Sequence, residues 1–181
     1  MDFFEKDLED IIWDSSQIKE ERELLAIRGL DISGKLYRQV KLGEYGILDL
    51  MSIAIYNSCI EVTIYELKKD EINFLTMMQA SRYGTAIREY IGIEYYNLNR
   101  PVNIKFVLIG KSVDLKSDFI FLYNHSDNFT IKLYTYALDG LRFSTISKGY
   151  TLSDEDFKNL KNPISKDDII EMKYNKSSLP F

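Results

Sequence analysis

The sequence contains one cysteine, one histidine and three prolines in 181 residues. A lone Cys59 excludes an internal disulfide and a cysteine-based zinc site, and it suits a reducing compartment. A lone His125, in the polar run NHSDN, leaves no set of histidines for a triad or a metal centre. Neither residue is a catalytic candidate. Few prolines and nine glycines argue against a long linker or a disordered tract. No apolar run approaches the ~18 residues that a membrane span needs. The acidic start MDFFEKDLED is unlike a signal peptide. These absences predict a soluble cytoplasmic protein with no membrane partner. An excess of positive charge is missing too: the formal net charge is −5. That excludes a generally adhesive nucleic-acid binder.

What is present is a core-forming composition, 45% hydrophobic with 13% aromatics. It suits one mixed or strand-rich domain. The charge is unevenly placed. Residues 1–24 hold nine acids and three bases, and residues 151–181 hold six and five. Thirteen acids against fifteen bases remain in residues 25–150. The middle is slightly basic between acidic ends, which leaves room for a local phosphate-binding face.

Periodicity orders the chain. DFFEKDLEDIIW places Phe4, Leu8, Ile11 and Ile12 on one helical stripe, with Asp2 as a candidate N-cap. SQIKEERELLAIRGL predicts a second helical piece closing near Gly29. KLYRQVKLGEYG alternates, with Leu36, Arg38, Val40 and Leu42 on one side and Tyr37, Gln39 and Lys41 on the other. ILDLMSIAIYN and CIEVTIYELKK predict two more strands joined at Asn57–Ser58, completing a three-stranded antiparallel meander. DEINFLTMMQASRYGTAIREYIG predicts a helix capped by Asp70, with Phe74, Met77, Met78 and Ile87 as its apolar stripe. VNIKFVLIGKSV predicts a strand, SDFIFLYNHS a short helix or irregular segment, and FTIKLYTYALDGLRFSTIS a hairpin turning at Asp139–Gly140. The expected fold class is α/β (α+β): a central mixed β-sheet with an antiparallel meander, flanked by helices.

Within this order lies a constellation suited to phosphodiester hydrolysis. That reaction needs an activated water and neutralisation of charge at phosphorus, and a carboxylate-bound divalent cation supplies both. Magnesium takes a few carboxylates and keeps several waters. A turn at Asn57–Ser58 sets Asp49 directly opposite Glu66, within ~5 Å at Cβ on a shared face. Lys68, two residues on, shares that face and can orient the water or hold the phosphate. The Leu67 carbonyl between them is a further donor. Gln79 and Tyr83, four apart on the next helix, can reach over the strand end; Gln79 suits a water or a DNA group, and Tyr83 a phosphate or Lys68. Glu5 or Glu9 of the first helix can add a carboxylate. Arg38, Lys41, Lys69 and Arg82 are candidates for a phosphate-binding rim. The plain reading of Glu66 and Lys68 is a surface ion pair of little consequence, and that of Glu5 and Glu9 a solvated helix flank.

GILD matches a G-x-x-D motif, ELK an E-x-K motif and QASRY a Q-x-x-x-Y motif. In their order and separation they resemble the PD-(D/E)xK nuclease superfamily, in particular its RecB-like branch. EKDLEDIIW together with RQVKLGEYGILDL is similar to the catalytic domain of NucS-type endonucleases. The resemblance covers residues 4 to about 90. Ile47 stands where NucS-type proteins usually carry an arginine. The resemblance implies a restriction-endonuclease-like core over residues 1–150; residues 151–181 read as a polar C-terminal extension, in which SDEDFKNL is a candidate short helix. It implies a metal-dependent deoxyribonuclease in which Asp49 and Glu66 bind Mg²⁺ (Mn²⁺ substituting). Lys68 is catalytic, Gln79 and Tyr83 assist, and the first-helix glutamate is assigned to Glu5. DNA is the expected partner, and a homodimer is expected by analogy with such nucleases. A non-catalytic nucleic-acid-binding or assembly module that keeps the fold is the alternative, and an unrelated interaction domain is a third reading.

Overall fold

A computed structural model of the chain describes residues 4–94, 100–114 and 119–149. The chain divides into two units, Met1–Lys148 and Gly149–Phe181. Every described helix and strand belongs to the first. The predicted short helix in the C-terminal extension, and Asp2 as a cap, lie outside the described residues.

The fold is α+β, with a mixed central sheet flanked by helices. Two helices come first, α1 (Glu5–Gln17) and α2 (Lys19–Ile27). At the start of α1 the Asp7 carboxylate accepts the Phe4 N–H at 2.7 Å, covering a donor that the helix cannot use. α2 ends as its sequence predicts. Gly29 takes φ +97, and the Leu30 N–H reaches back to the Leu25 carbonyl at 2.9 Å. This six-to-one bond is the Schellman motif. It buries Leu25 and Leu30, and any side chain at residue 29 would meet the Phe143 carbonyl at 2.0 Å.

Strands β1 (Lys35–Lys41), β2 (Ile47–Ile55) and β3 (Ile60–Leu67) form the predicted antiparallel meander. A two-residue strand β4 (Glu71–Ile72) precedes α3 (Phe74–Glu94), and β5 (Val102–Gly110) then returns parallel to β3. The run predicted as one strand breaks at Lys111. Its last residues form β6 (Ser112–Val113), which pairs with β4 in a second, two-stranded sheet. After α4 (Phe119–His125), β7 (Phe129–Ala137) lies parallel to β5, and β8 (Gly140–Thr145) closes the hairpin. Ala137 pairs with Gly140, so the turn residues are Leu138–Asp139, one residue earlier than predicted. The main sheet has the order β1-β2-β3-β5-β7-β8.

Each face of the sheet is covered by helices. Leu8, Ile12 and Leu25 of α1 and α2 pack on Leu50, Tyr65, Leu67 and Ile109. On the other side Tyr83 and Ile87 of α3 pack on Leu48, Met51, Ile64 and Ile104. Met77 and Ala80 of α3 join Phe119 and Tyr123 of α4 over Leu108 and Ile131. α3 differs from its predicted stripe: Phe74 is 43% exposed and Met78 52%, whereas Met77, Ala80, Tyr83 and Ile87 are buried. The buried positions recur at helical spacing on the face turned to the sheet, and the cap differs from the predicted one as well. The carboxamide oxygen of Asn73, not Asp70, accepts the Leu75 and Thr76 N–H groups at 3.0 and 3.3 Å, while Glu71–Ile72 is strand. Replacing Asn73 with alanine should therefore cost about 1 kcal/mol of stability in urea denaturation. The same change at Asp70 should leave the midpoint within the scatter of surface variants.

The paired strands β1 and β2 both depart from regular alternation at one level: in β2, Leu48 packs on the α3 side and Leu50, two residues on, on the α1–α2 side. Gln39 has φ +50, the only positive φ outside glycine among the described residues. It lies between the pairs Arg38–Leu50 and Val40–Leu48, so it faces Asp49 across the strands. The predicted alternation breaks here. Leu36 belongs to the α1–α2 side, whereas Val40 and Leu42 pack on the α3 side. Left-handed backbone at a non-glycine residue costs of order 1–3 kcal/mol and persists only where the surroundings enforce it.

Candidate functional site

The three motifs meet where β2 and β3 part. The Tyr56 N–H donates to the Cys59 carbonyl at 2.9 Å, which fixes the hairpin, and the register runs back to Leu50 opposite Tyr65. One step further brings Asp49 opposite Glu66. At this level the ladder ends. The Leu67 N–H donates to the Asp49 carboxylate at 3.0 Å, and the Lys68 N–H turns to the Ile109 carbonyl of β5 at 2.8 Å. The strands diverge with two carboxylates between them.

Glu66 is 0% exposed. Its Oε1 accepts from the Lys68 ammonium at 2.7 Å, and its Oε2 is buried with no hydrogen-bond partner. Burial, followed by the charge of Asp49, pushes the Glu66 carboxyl up to about 7. Burial likewise pushes Asp49 up to about 6, against the pull of the Leu67 N–H and of Lys68. Burial acts to lower Lys68, but Glu66, Glu5 and Asp49 together raise it above its ordinary value, so its ammonium stays charged. The site is thus a pair of carboxyls that resist ionising together, beside a fixed positive charge.

The two candidate glutamates of α1 are handled differently. Half-exposed Glu5 receives the Lys68 ammonium at 3.4 Å on one oxygen and the Lys69 N–H at 3.3 Å on the other. Glu9 is buried, and both its oxygens are taken: one by the Arg38 guanidinium, the other by the Gln39 carboxamide at 2.6 Å. Arg38 also binds Asp10. Its guanidinium is committed to these two acids instead of standing free on a phosphate-binding rim. Lys41 and Arg82 are exposed, with Arg82 5.8 Å from the Tyr83 ring centre. The Lys69 ammonium lies 5.4 Å from the Phe4 ring centre.

Gln79 and Tyr83 are brought to the start of β2. The Gln79 carboxamide donates to the Tyr83 hydroxyl at 2.9 Å, and that hydroxyl donates to the Ile47 carbonyl at 2.9 Å. Tyr83 therefore anchors the strand two residues before Asp49; it does not hold Lys68. Gly46, at φ +110, lets the chain enter β2 beneath the tyrosine.

Among the described residues, no three His, Cys, Asp or Glu side chains converge as a ready metal cage. The donor set nonetheless fits a hard cation that keeps its waters: one buried carboxylate oxygen lacks a partner beside a second carboxylate. A cavity between α2 and β8, lined by Leu24, Ile27, Arg28, Asp139, Arg142 and Phe143, contains none of these groups. Sequence reasoning missed the grip of Arg38 and Gln39 on Glu9, since nothing in an alternating strand signals a left-handed glutamine. Among the described residues no helix is long and apolar enough to cross a membrane. No family model, no curated protein and no solved structure matches this chain.

Proposed function

We propose that the chain is a metal-dependent DNA endonuclease with a restriction-endonuclease-like core of the PD-(D/E)xK type. The observation that carries this reading is Glu66. A fully buried carboxylate oxygen without a partner is costly, and it stands beside Asp49 at the mouth of two diverging strands. Asp49 and Glu66 would hold Mg²⁺, with Mn²⁺ substituting, and the Leu67 carbonyl and Glu5 are the further donors. When bound, the ion supplies an acidified water and neutralises charge at the phosphate. Lys68 keeps its proton, so it acts as a hydrogen-bond donor and positive charge toward a water or a non-bridging phosphate oxygen. Tyr83 holds β2 through the Ile47 carbonyl, and Gln79 holds Tyr83, which leaves the Gln79 carbonyl oxygen for a water or a DNA group. Lys41, Lys69 and Arg82 supply charge for the DNA backbone.

One observation favours a second reading, a non-catalytic nucleic-acid-binding or assembly module. Lys68 already bridges one oxygen of Glu66 and one of Glu5, an ion-pair arrangement that forms without any ligand. Calorimetric titration with Mn²⁺, together with incubation of plasmid, single-stranded and branched DNA with Mn²⁺, separates the two. The nuclease reading expects saturable Mn²⁺ binding and cleavage of at least one DNA form, both lost in Asp49→Ala. No Mn²⁺ binding by the unaltered chain would favour the module.

A further inference from the structure

We propose that Glu9 is a positioning residue: held by Arg38 and Gln39, its carboxylate fixes the level at which β1 and β2 turn over together, and so presents Asp49 to the α1 side of the sheet. The inference rests on the metal-site reading above and adds a residue that acts through Asp49 without holding the cation.

Two strands change face at one level. In β1, Leu36 packs under α1 and α2, and Val40 under α3. In β2, Leu48 packs under α3, and Leu50 under α1 and α2. Residues two or four apart in a regular strand share a face, so each strand has turned over once in between. The pairing continues on both sides of this step, Arg38 with Leu50 and Val40 with Leu48, so neither strand has gained a residue. At the step stand Gln39, with φ +50, and Asp49 of the paired strand. Side chains of paired residues share a face, so paired strands turn over together.

The step decides where Asp49 points. A regular β2 would place it beside Met51, in the apolar layer under α3. After the step it lies toward α1. There its carboxylate accepts the Leu67 N–H at 3.0 Å, and the charges of Lys68, Glu5 and Glu9 act on it. Left-handed backbone at a glutamine is costly and needs an enforcing contact. Glu9 supplies that contact. Its side chain is buried, and its two oxygens take the Arg38 guanidinium and, at 2.6 Å, the Gln39 carboxamide. Adjacent strand residues ordinarily point to opposite faces, yet here both reach one acid of α1. Arg38 extends the hold to Asp10.

Calorimetric titration of the full chain with Mn²⁺ tests this, with thermal melting as the check on folding. Glu9→Ala releases the grip and should weaken binding about tenfold or more. Glu9→Gln keeps an oxygen for Arg38 and a carboxamide that pairs with Gln39, so it should bind within about threefold of the unaltered protein. Glu9→Ala combined with Gln39→Gly should recover most of the loss, because glycine takes positive φ without an enforcing contact. If Glu9→Ala fails to fold, the pair Gln39→Ala and Gln39→Gly asks the same question from an exposed position. Both lack the carboxamide, and only the alanine variant should bind more weakly; equal affinities would then overturn the proposal. Unchanged affinity in Glu9→Ala would overturn it while leaving the metal site standing. Equal losses in Glu9→Ala and Glu9→Gln would overturn it by assigning the effect to charge. A combined variant as weak as Glu9→Ala would overturn it by assigning the effect to the packing of α1. If the unaltered chain binds no Mn²⁺, the metal-site reading and this inference fall together.

Discussion

Lys68→Met should lower Mn²⁺-dependent DNA cleavage by about 10²–10³-fold, the usual loss for a donor aimed at developing charge, and should leave Mn²⁺ binding as tight as before or tighter. The two halves of this prediction come from one arrangement. The Lys68 ammonium contacts Glu66 at 2.7 Å and Glu5 at 3.4 Å, so it opposes any second positive charge placed on those acids. Removing it relieves that repulsion, while methionine keeps the length and packing of the stem. An activity that survives the change would reduce Lys68 to a structural ion pair, the plain reading of the E-x-K motif. Weaker Mn²⁺ binding with unchanged melting would mean instead that Lys68 only orients Glu66. Single-turnover cleavage and calorimetry on one preparation distinguish these results. Glu66→Gln is a useful companion: it keeps the shape of the buried side chain but removes the charge, so both cleavage and Mn²⁺ binding should be lost.

The part of this site that could be read from sequence is the part fixed by short-range rules. A tight turn at Asn57–Ser58 between two alternating apolar runs sets the register, and the register brings Asp49 level with Glu66. The alternation of β3 then puts Lys68 beside Glu66, as the 2.7 Å contact reflects. The i,i+4 spacing on a helix likewise brings Gln79 to Tyr83. What escaped depends on partners far along the chain. The parallel pairing of β3 with β5, and of β5 with β7, leaves no local mark, because a buried parallel strand reads simply as an apolar run. Asp70 and Asn73 are both good capping types within four residues, and only the pairing of Glu71–Ile72 with Ser112–Val113 decides between them. Arg38 looks like a free cation in the strand pattern. Its commitment to Glu9 and Asp10 follows from where α1 packs, which is a tertiary fact.

The metal-free protein should lose stability as pH rises from about 4 to about 7, opposite to the usual gain of folded proteins leaving acid. The Asp49 and Glu66 carboxyls are pushed up to about 6 and about 7 in the fold, from ordinary values of 3.8 and 4.5. Below about pH 4 both are protonated whether the chain is folded or not, and they contribute no difference. Between the unfolded and folded values the unfolded chain ionises freely while the folded one retains its protons. The folded state then binds more protons, so stability falls with pH until both groups ionise. The two groups repel one another, so their shifts are counted as one shared effect, on the order of 3 kcal/mol for the pair. For a chain of this size that is roughly 6–12 °C in melting temperature. Lys68 does not offset this: its value is raised, so its contribution is complete throughout this range and fades only in strong alkali. A divalent cation supplies the missing countercharge, so Mn²⁺ at 100 times its dissociation constant should return about 2.7 kcal/mol near pH 8, and much less near pH 5, where protons compete for the same oxygens. Melts in EDTA and in Mn²⁺, run from pH 4 to 8 beside an Asp49→Asn, Glu66→Gln double variant, provide the check. The double variant should lose both the downward slope and the response to Mn²⁺. A melting temperature in EDTA that stays level or climbs from pH 5 to 7, identical in the two proteins, would show that these carboxyls ionise without cost, and a buried pair awaiting a cation would no longer describe them.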